Sequence, residues 1–129
     1  MSVLIYTGSD QIVLKRLNRV IQIVFPGGKV DTCKSLDDVV NKLRRPRFKT
    51  DVEIALLVAG SKEEVNELAG MVEMFEDVRI ILVLPDADRE TISKGHLLRP
   101  RYLTYIDADF TDLAAVLAKM LNFRMSVLA

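Results

Sequence analysis

Val52-Glu53-Ile54-Ala55-Leu56-Leu57-Val58-Ala59-Gly60 is apolar apart from Glu53 until it ends on a glycine. A strand that is apolar on both faces has to be covered on both faces, which is the habit of a central strand in a parallel sheet. Ser61-Lys62-Glu63-Glu64 follows at once. A hydroxyl residue with a glutamate three places on is the capping box that opens a helix. In parallel sheets, ligands and chemistry gather just past the carboxyl ends of the strands. Here that place is held by Val58, Ala59 and Gly60, none with a reactive group.

The same unit recurs on both sides. Val3-Leu4-Ile5-Tyr6 reads as a first strand and Thr7-Gly8-Ser9-Asp10 as the turn after it. From Gln11 to Phe25 the apolar residues Ile12, Val13, Leu17, Val20, Ile21 and Val24 recur at helical spacing, and Pro26-Gly27-Gly28 stops the run. Lys29–Lys34 alternates weakly, as an edge strand does. Ser35-Leu36-Asp37-Asp38 starts a short helix through Val39, Val40 and Leu43. Arg44-Arg45-Pro46-Arg47-Phe48-Lys49 is a basic loop leading into the central strand. Beyond Ser61, a helix is expected to carry Val65, Leu68, Met71, Val72 and Phe75. Val78–Leu84 is a second fully apolar strand. Asp86-Ala87-Asp88 opens a helix to about Leu98, Tyr102–Ile106 is the last strand, and Asp109 to about Phe123 the last helix. The apolar end, Met125 to Ala129, is read as a frayed tail or a contact with a second copy. Strands alternating with helices predict a three-layer α/β/α sandwich around a five-stranded parallel sheet, with strand order 2-1-3-4-5.

The bulk numbers set bounds. A chain of 129 residues is read as one domain, 1–129, and 50% apolar content is enough for a core. Lys and Arg number 18 and Asp and Glu 18, a balance that speaks against a generally nucleic-acid-binding surface. The lone Cys33 gives no intrachain disulfide and no cysteine-rich metal site, and it suits a reducing compartment. No signal peptide is visible, and the apolar runs are well short of the ~20 residues of a membrane span. The cytoplasm is therefore the expected location, with no membrane contact.

The pattern resembles the receiver domain of bacterial response regulators over nearly the whole chain. Ser35-Leu36-Asp37-Asp38-Val39-Val40 stands where receivers carry Ser/Asp-Gly-Glu-Glu-Ala-Leu, Val3–Tyr6 matches their first strand, and Tyr102-Leu103 matches the opening of their fifth. The resemblance implies an aspartate at the end of the third strand as phosphoacceptor; that position falls on Val58, or on Ala59 with a one-residue shift. It implies two acidic Mg²⁺ ligands after the first strand, where Thr7 and Gly8 stand. The hydroxyl residue after the fourth strand aligns with Val83 or Leu84, and the lysine of the fifth with Tyr105 or Ile106. By this resemblance the chain is a non-catalytic signalling module without aspartyl phosphorylation. It would act through a protein partner, a second copy of the chain being one candidate, with Leu98, Arg101 and Tyr102 as the surface.

The strand ends carry the alternative. Gly8, Ser9, Asp10, Gly60, Asp86, Asp88 and Asp107 would share one face in a parallel fold and could surround a small anion or nucleotide. Against this, Asp10 repels an anion, and aspartates at helix starts cap orphan N–H groups, a commoner use than binding a hard cation. His96, the sole histidine, has no Ser-His-Asp or Cys-His setting, and the methionines fall at helical core positions. No enzyme constellation, cofactor or metal is expected.

Overall fold

The computed structural model describes residues 2–44 and 52–128, with side chains up to Leu121. Elements β1 (Ser2–Tyr6), α1 (Gln11–Val24), β2 (Lys29–Cys33), α2 (Leu36–Leu43), β3 (Val52–Val58), α3 (Lys62–Ala69), β4 (Arg79–Leu84), α4 (Arg89–His96), β5 (Tyr102–Tyr105) and α5 (Thr111–Leu128) follow in that order. All strand pairs are parallel, and the order across the sheet is β2-β1-β3-β4-β5, as expected.

Alternation along the three inner strands builds the layers. Leu4, Ala55, Leu57, Leu82 and Leu84 point to one side, onto Val39 of α2, Val65 and Leu68 of α3, and Phe75. Val3, Ile5, Ile54, Leu56, Val58, Ile81 and Val83 point to the other, onto Val13, Leu17 and Ile21 of α1 and Leu113, Leu117 and Leu121 of α5. Burying both faces of β3 and β4 stabilises the fold by roughly 1.5–3 kcal/mol per large apolar side chain, before the entropy of ordering. Ser35 accepts from the Asp38 N–H at 3.1 Å and Ser61 from the Glu64 N–H at 3.2 Å, so both capping serines act as the sequence predicts.

Several boundaries depart from expectation. The helix after Ser61 ends at the cap residue Gly70, and Val72–Phe75 forms a separate 3-10 turn. That break lets Phe75 drop into the core at 3% exposure. Leu98, expected on the surface, is buried at 2%. The end of α4 tightens into three-residue hydrogen bonds, Leu97 N–H to Lys94 and Leu98 N–H to Gly95, which swing Leu98 under the sheet and leave Leu97 56% exposed. The helix α5 continues to Leu128, so its backbone takes in most of the expected tail. The basic loop from Arg45 to Lys49 lies outside the described residues.

Candidate functional site

The carboxyl ends of β1 and β3 adjoin at the centre of the sheet, where Tyr6 pairs in register with Leu57. Gly8, with φ 60°, makes the turn after β1 in a conformation that side chains seldom adopt. A Cβ on Gly8 would sit 3.6 Å from the Tyr6 hydroxyl, and one on Gly60 would sit 3.4 Å from a Glu64 carboxylate oxygen. Between the two glycines, the Tyr6 hydroxyl donates to Glu64 Oε2 at 2.9 Å. Burial, and then the Glu64 carboxylate, push the Tyr6 phenol well above its ordinary pKa, so it stays protonated. Sequence reading missed this pair because its members lie 58 residues apart.

The aspartates are largely committed to backbone. Asp10 accepts from the Val13 N–H at 3.1 Å and caps α1. Asp86 Oδ1 accepts from the Asp88 N–H at 3.0 Å. The neighbouring Thr91 hydroxyl and that N–H hold Asp86 below the usual carboxylate range, although the hydroxyl is buried without a hydrogen bond of normal geometry. Asp109 accepts from the Thr111 N–H at 2.9 Å, which lowers its pKa in the same way. Asp88 forms a surface ion pair with Lys62 at 2.6 Å, and the hydrogen bond and charge raise the lysine pKa. Pairs of this exposure add little stability. Ser9 and Asp107 are exposed. Among the described residues, no three His, Cys, Asp or Glu side chains come together as metal ligands.

A second contact was also invisible in sequence. The Arg16 guanidinium on α1 donates through Nη1 to the Ile106 carbonyl at 2.9 Å and through Nη2 to the Ala108 carbonyl. It lies 3.9 Å from the centre of the Phe110 ring, and Phe110 has φ 65°. Arg16 thus pins the loop between β5 and α5. In sequence Arg16 is one of three cations of α1 with Lys15 and Arg19, and only the fold leaves it half-buried while the other two are exposed. Of the expected interaction residues, Arg101 is exposed and Tyr102 packs against the α1–α5 core.

No family model matches this chain, and no curated protein matches it in sequence. Solved structures match it in shape. The signal receiver domain of an HD domain-containing protein from Pseudomonas fluorescens Pf-5 superposes with a TM-score of 0.72 at 16% identity, over 97% of each chain. This chain has the receiver-domain fold. A CheY-like response regulator receiver domain from Methanospirillum hungatei JF-1 gives a TM-score of 0.71 at 14% identity, over 97% of this chain and 96% of that one. A response regulator from Burkholderia pseudomallei, described with a phosphorylated aspartic acid, a calcium ion and citrate, gives 0.66 at 14% identity, over 98% and 73%. Within the receiver fold of the present chain, β3 ends on Val58, which is 1% exposed and stands in register with Val83 of β4. Among the described residues, no helix is long and apolar enough to cross a membrane.

Proposed function

We propose that the chain, as one domain over 1–129, is a signalling module of receiver type that works in the cytoplasm through a protein partner, without phosphorylation on aspartate. The observation that supports this most is Val58, buried at the end of β3 among apolar neighbours. A valine offers no oxygen to attack phosphorus. Thr7 and Gly8, after β1, offer no carboxylate for Mg²⁺. The exposed Arg101 and the half-buried Tyr102 remain the proposed contact surface, now without Leu98. A second copy of the chain is one candidate partner.

The rival reading, a small anion or nucleotide at Gly8, Ser9, Asp10, Gly60, Asp86, Asp88 and Asp107, meets carboxylates of the wrong sign. Titration of the ¹⁵N-labelled chain with Mg²⁺ and beryllofluoride tests both readings. The amides of Gly8 and of Val58 to Gly60 are expected to stay unmoved. Saturable shifts there would overturn the proposal. Light scattering across concentrations tests the homodimer: a mass that rises towards twice the monomer supports it, and a monomer throughout removes it.

A further inference from the structure

A cleft of about 880 Å³ opens at the other, amino-terminal edge of the sheet, between the segment 72–79 and the turn 98–101. Phe75 and Leu98 give it apolar walls. Three arginines, Arg79, Arg99 and Arg101, and three carboxylates, Glu73, Glu76 and Asp77, line it. The register sets Ile81 against Tyr102, and the Arg101 N–H donates to the Ile80 carbonyl at 2.8 Å. Arg79 at the start of β4 is thereby brought beside the Arg99–Arg101 turn. Arg99 is held at φ 52°, a left-handed conformation that costs a non-glycine residue energy and so invites a functional explanation. Among the described residues, no side-chain hydrogen bond or ion pair engages the guanidinium group of Arg79, Arg99 or Arg101. Guanidinium groups that line the same cleft repel one another, and an anion between them removes that cost. Half-burial of Arg79 weakens screening by solvent.

The same cleft is lined by the exposed carboxylates of Glu73 and Glu76, while Asp77 has an interaction of its own. Carboxylates accept hydrogen bonds from hydroxyl and amino groups. Guanidinium forks match phosphate oxygens two at a time. We propose that this cleft binds a phosphorylated small molecule of about nucleotide size. Its phosphate rests on Arg79, Arg99 and Arg101, and its hydroxyl- or amino-bearing end faces Glu73 and Glu76. The volume falls in the usual range for small-molecule sites, roughly 300–1,000 Å³. The site lies at the opposite edge from Gly8 and Gly60, and it shares Arg101 with the proposed contact surface.

The test is a titration of the ¹⁵N-labelled full chain with adenosine 5′-monophosphate, ribose 5-phosphate, adenosine and inorganic phosphate. Saturable shifts are expected at amides 72–79, 98, 99 and 101 with both phosphorylated compounds, weaker ones with inorganic phosphate, and none with adenosine. Tighter binding of the nucleotide than of the sugar phosphate supports a nucleotide ligand; equal binding supports a sugar phosphate. Arg79→Gln and Arg101→Gln should each weaken binding ~tenfold or more, for loss of a charged hydrogen-bonding partner, with spectral dispersion unchanged. The proposal is overturned by any of four results: no saturable shift, binding unaffected in both variants, inorganic phosphate binding as tightly as the nucleotide, or shifts confined to Gly8 and Gly60.

Discussion

The Tyr6 hydroxyl at the end of β1 donates to Glu64 on α3 at 2.9 Å, joining the two loops that meet at the centre of the sheet. Tyr6 is 4% exposed, whereas Glu64 keeps access to solvent. Tyr6→Phe keeps the ring and removes the bond, and it should cost about 1 kcal/mol in chemical denaturation.

The same pair predicts a pH dependence. The folded-state pKa of Tyr6 is raised, by burial first and by Glu64 second. An unfolded tyrosine loses its proton near pH ~10. Below that pH the contribution is fully present. Above it the unfolded chain gives up a proton that the folded chain keeps, so stability falls as pH rises. The stability difference between wild type and Tyr6→Phe should therefore shrink above about pH 10; a difference that grows there would contradict the assignment.

Arg16 ties α1 to the loop between β5 and α5 through the carbonyls of Ile106 and Ala108. Arg16→Ala should destabilise by roughly 1–3 kcal/mol and speed amide hydrogen exchange from 106 to 110. Arg16→Lys should rescue little, because an ammonium lacks the planar fork that reaches both carbonyls and stacks on Phe110.

Gly95 lies buried on α4, where an added Cβ would stand 3.1 Å from Leu82 Cδ2 and 3.2 Å from Leu84 Cδ2. The helix packs this closely because no side chain intervenes. Gly95→Ala should be nearly neutral: helix propensity gains up to ~1 kcal/mol and offsets the crowding. Gly95→Val should cost roughly 1–3 kcal/mol by overpacking. Thermal melts of the two variants check the contrast.

Val58→Asp puts a carboxylate into a cluster with Val13, Phe110 and Leu113. It should destabilise by on the order of 3 kcal/mol or more, the cost of an unpaired buried charge. It should also fail to create a phosphoacceptor, because Thr7 and Gly8 still supply no metal ligands. Denaturation and mass after treatment with a phosphodonor measure the two effects separately.

Much of the fold was legible because the signals were local. Both faces of Val52–Val58 are apolar, so its central place in a parallel sheet followed from pattern alone. Ser35 and Ser61 announced helix starts, and the weak alternation of β2 matched its edge position. What failed was tertiary. Leu97 and Leu98 are identical in sequence terms, and only the tightened end of α4 decides which one is buried. Continuing apolar spacing masked the helix break at Gly70. At the candidate site, the glycine turns and capping aspartates could be read directly. The Tyr6–Glu64 and Arg16–Ile106 bonds span 58 and 90 residues and leave no local mark.

Incubating the chain with acetyl phosphate and Mg²⁺, then measuring its intact mass, puts the absence of aspartyl phosphorylation to the most direct test. The mass is expected to stay that of the unmodified protein under conditions that phosphorylate a competent receiver run alongside. A gain of one phosphoryl group, lost on hydroxylamine treatment as an acyl phosphate is, would contradict the reading of Val58 and place an acceptor aspartate elsewhere in the chain.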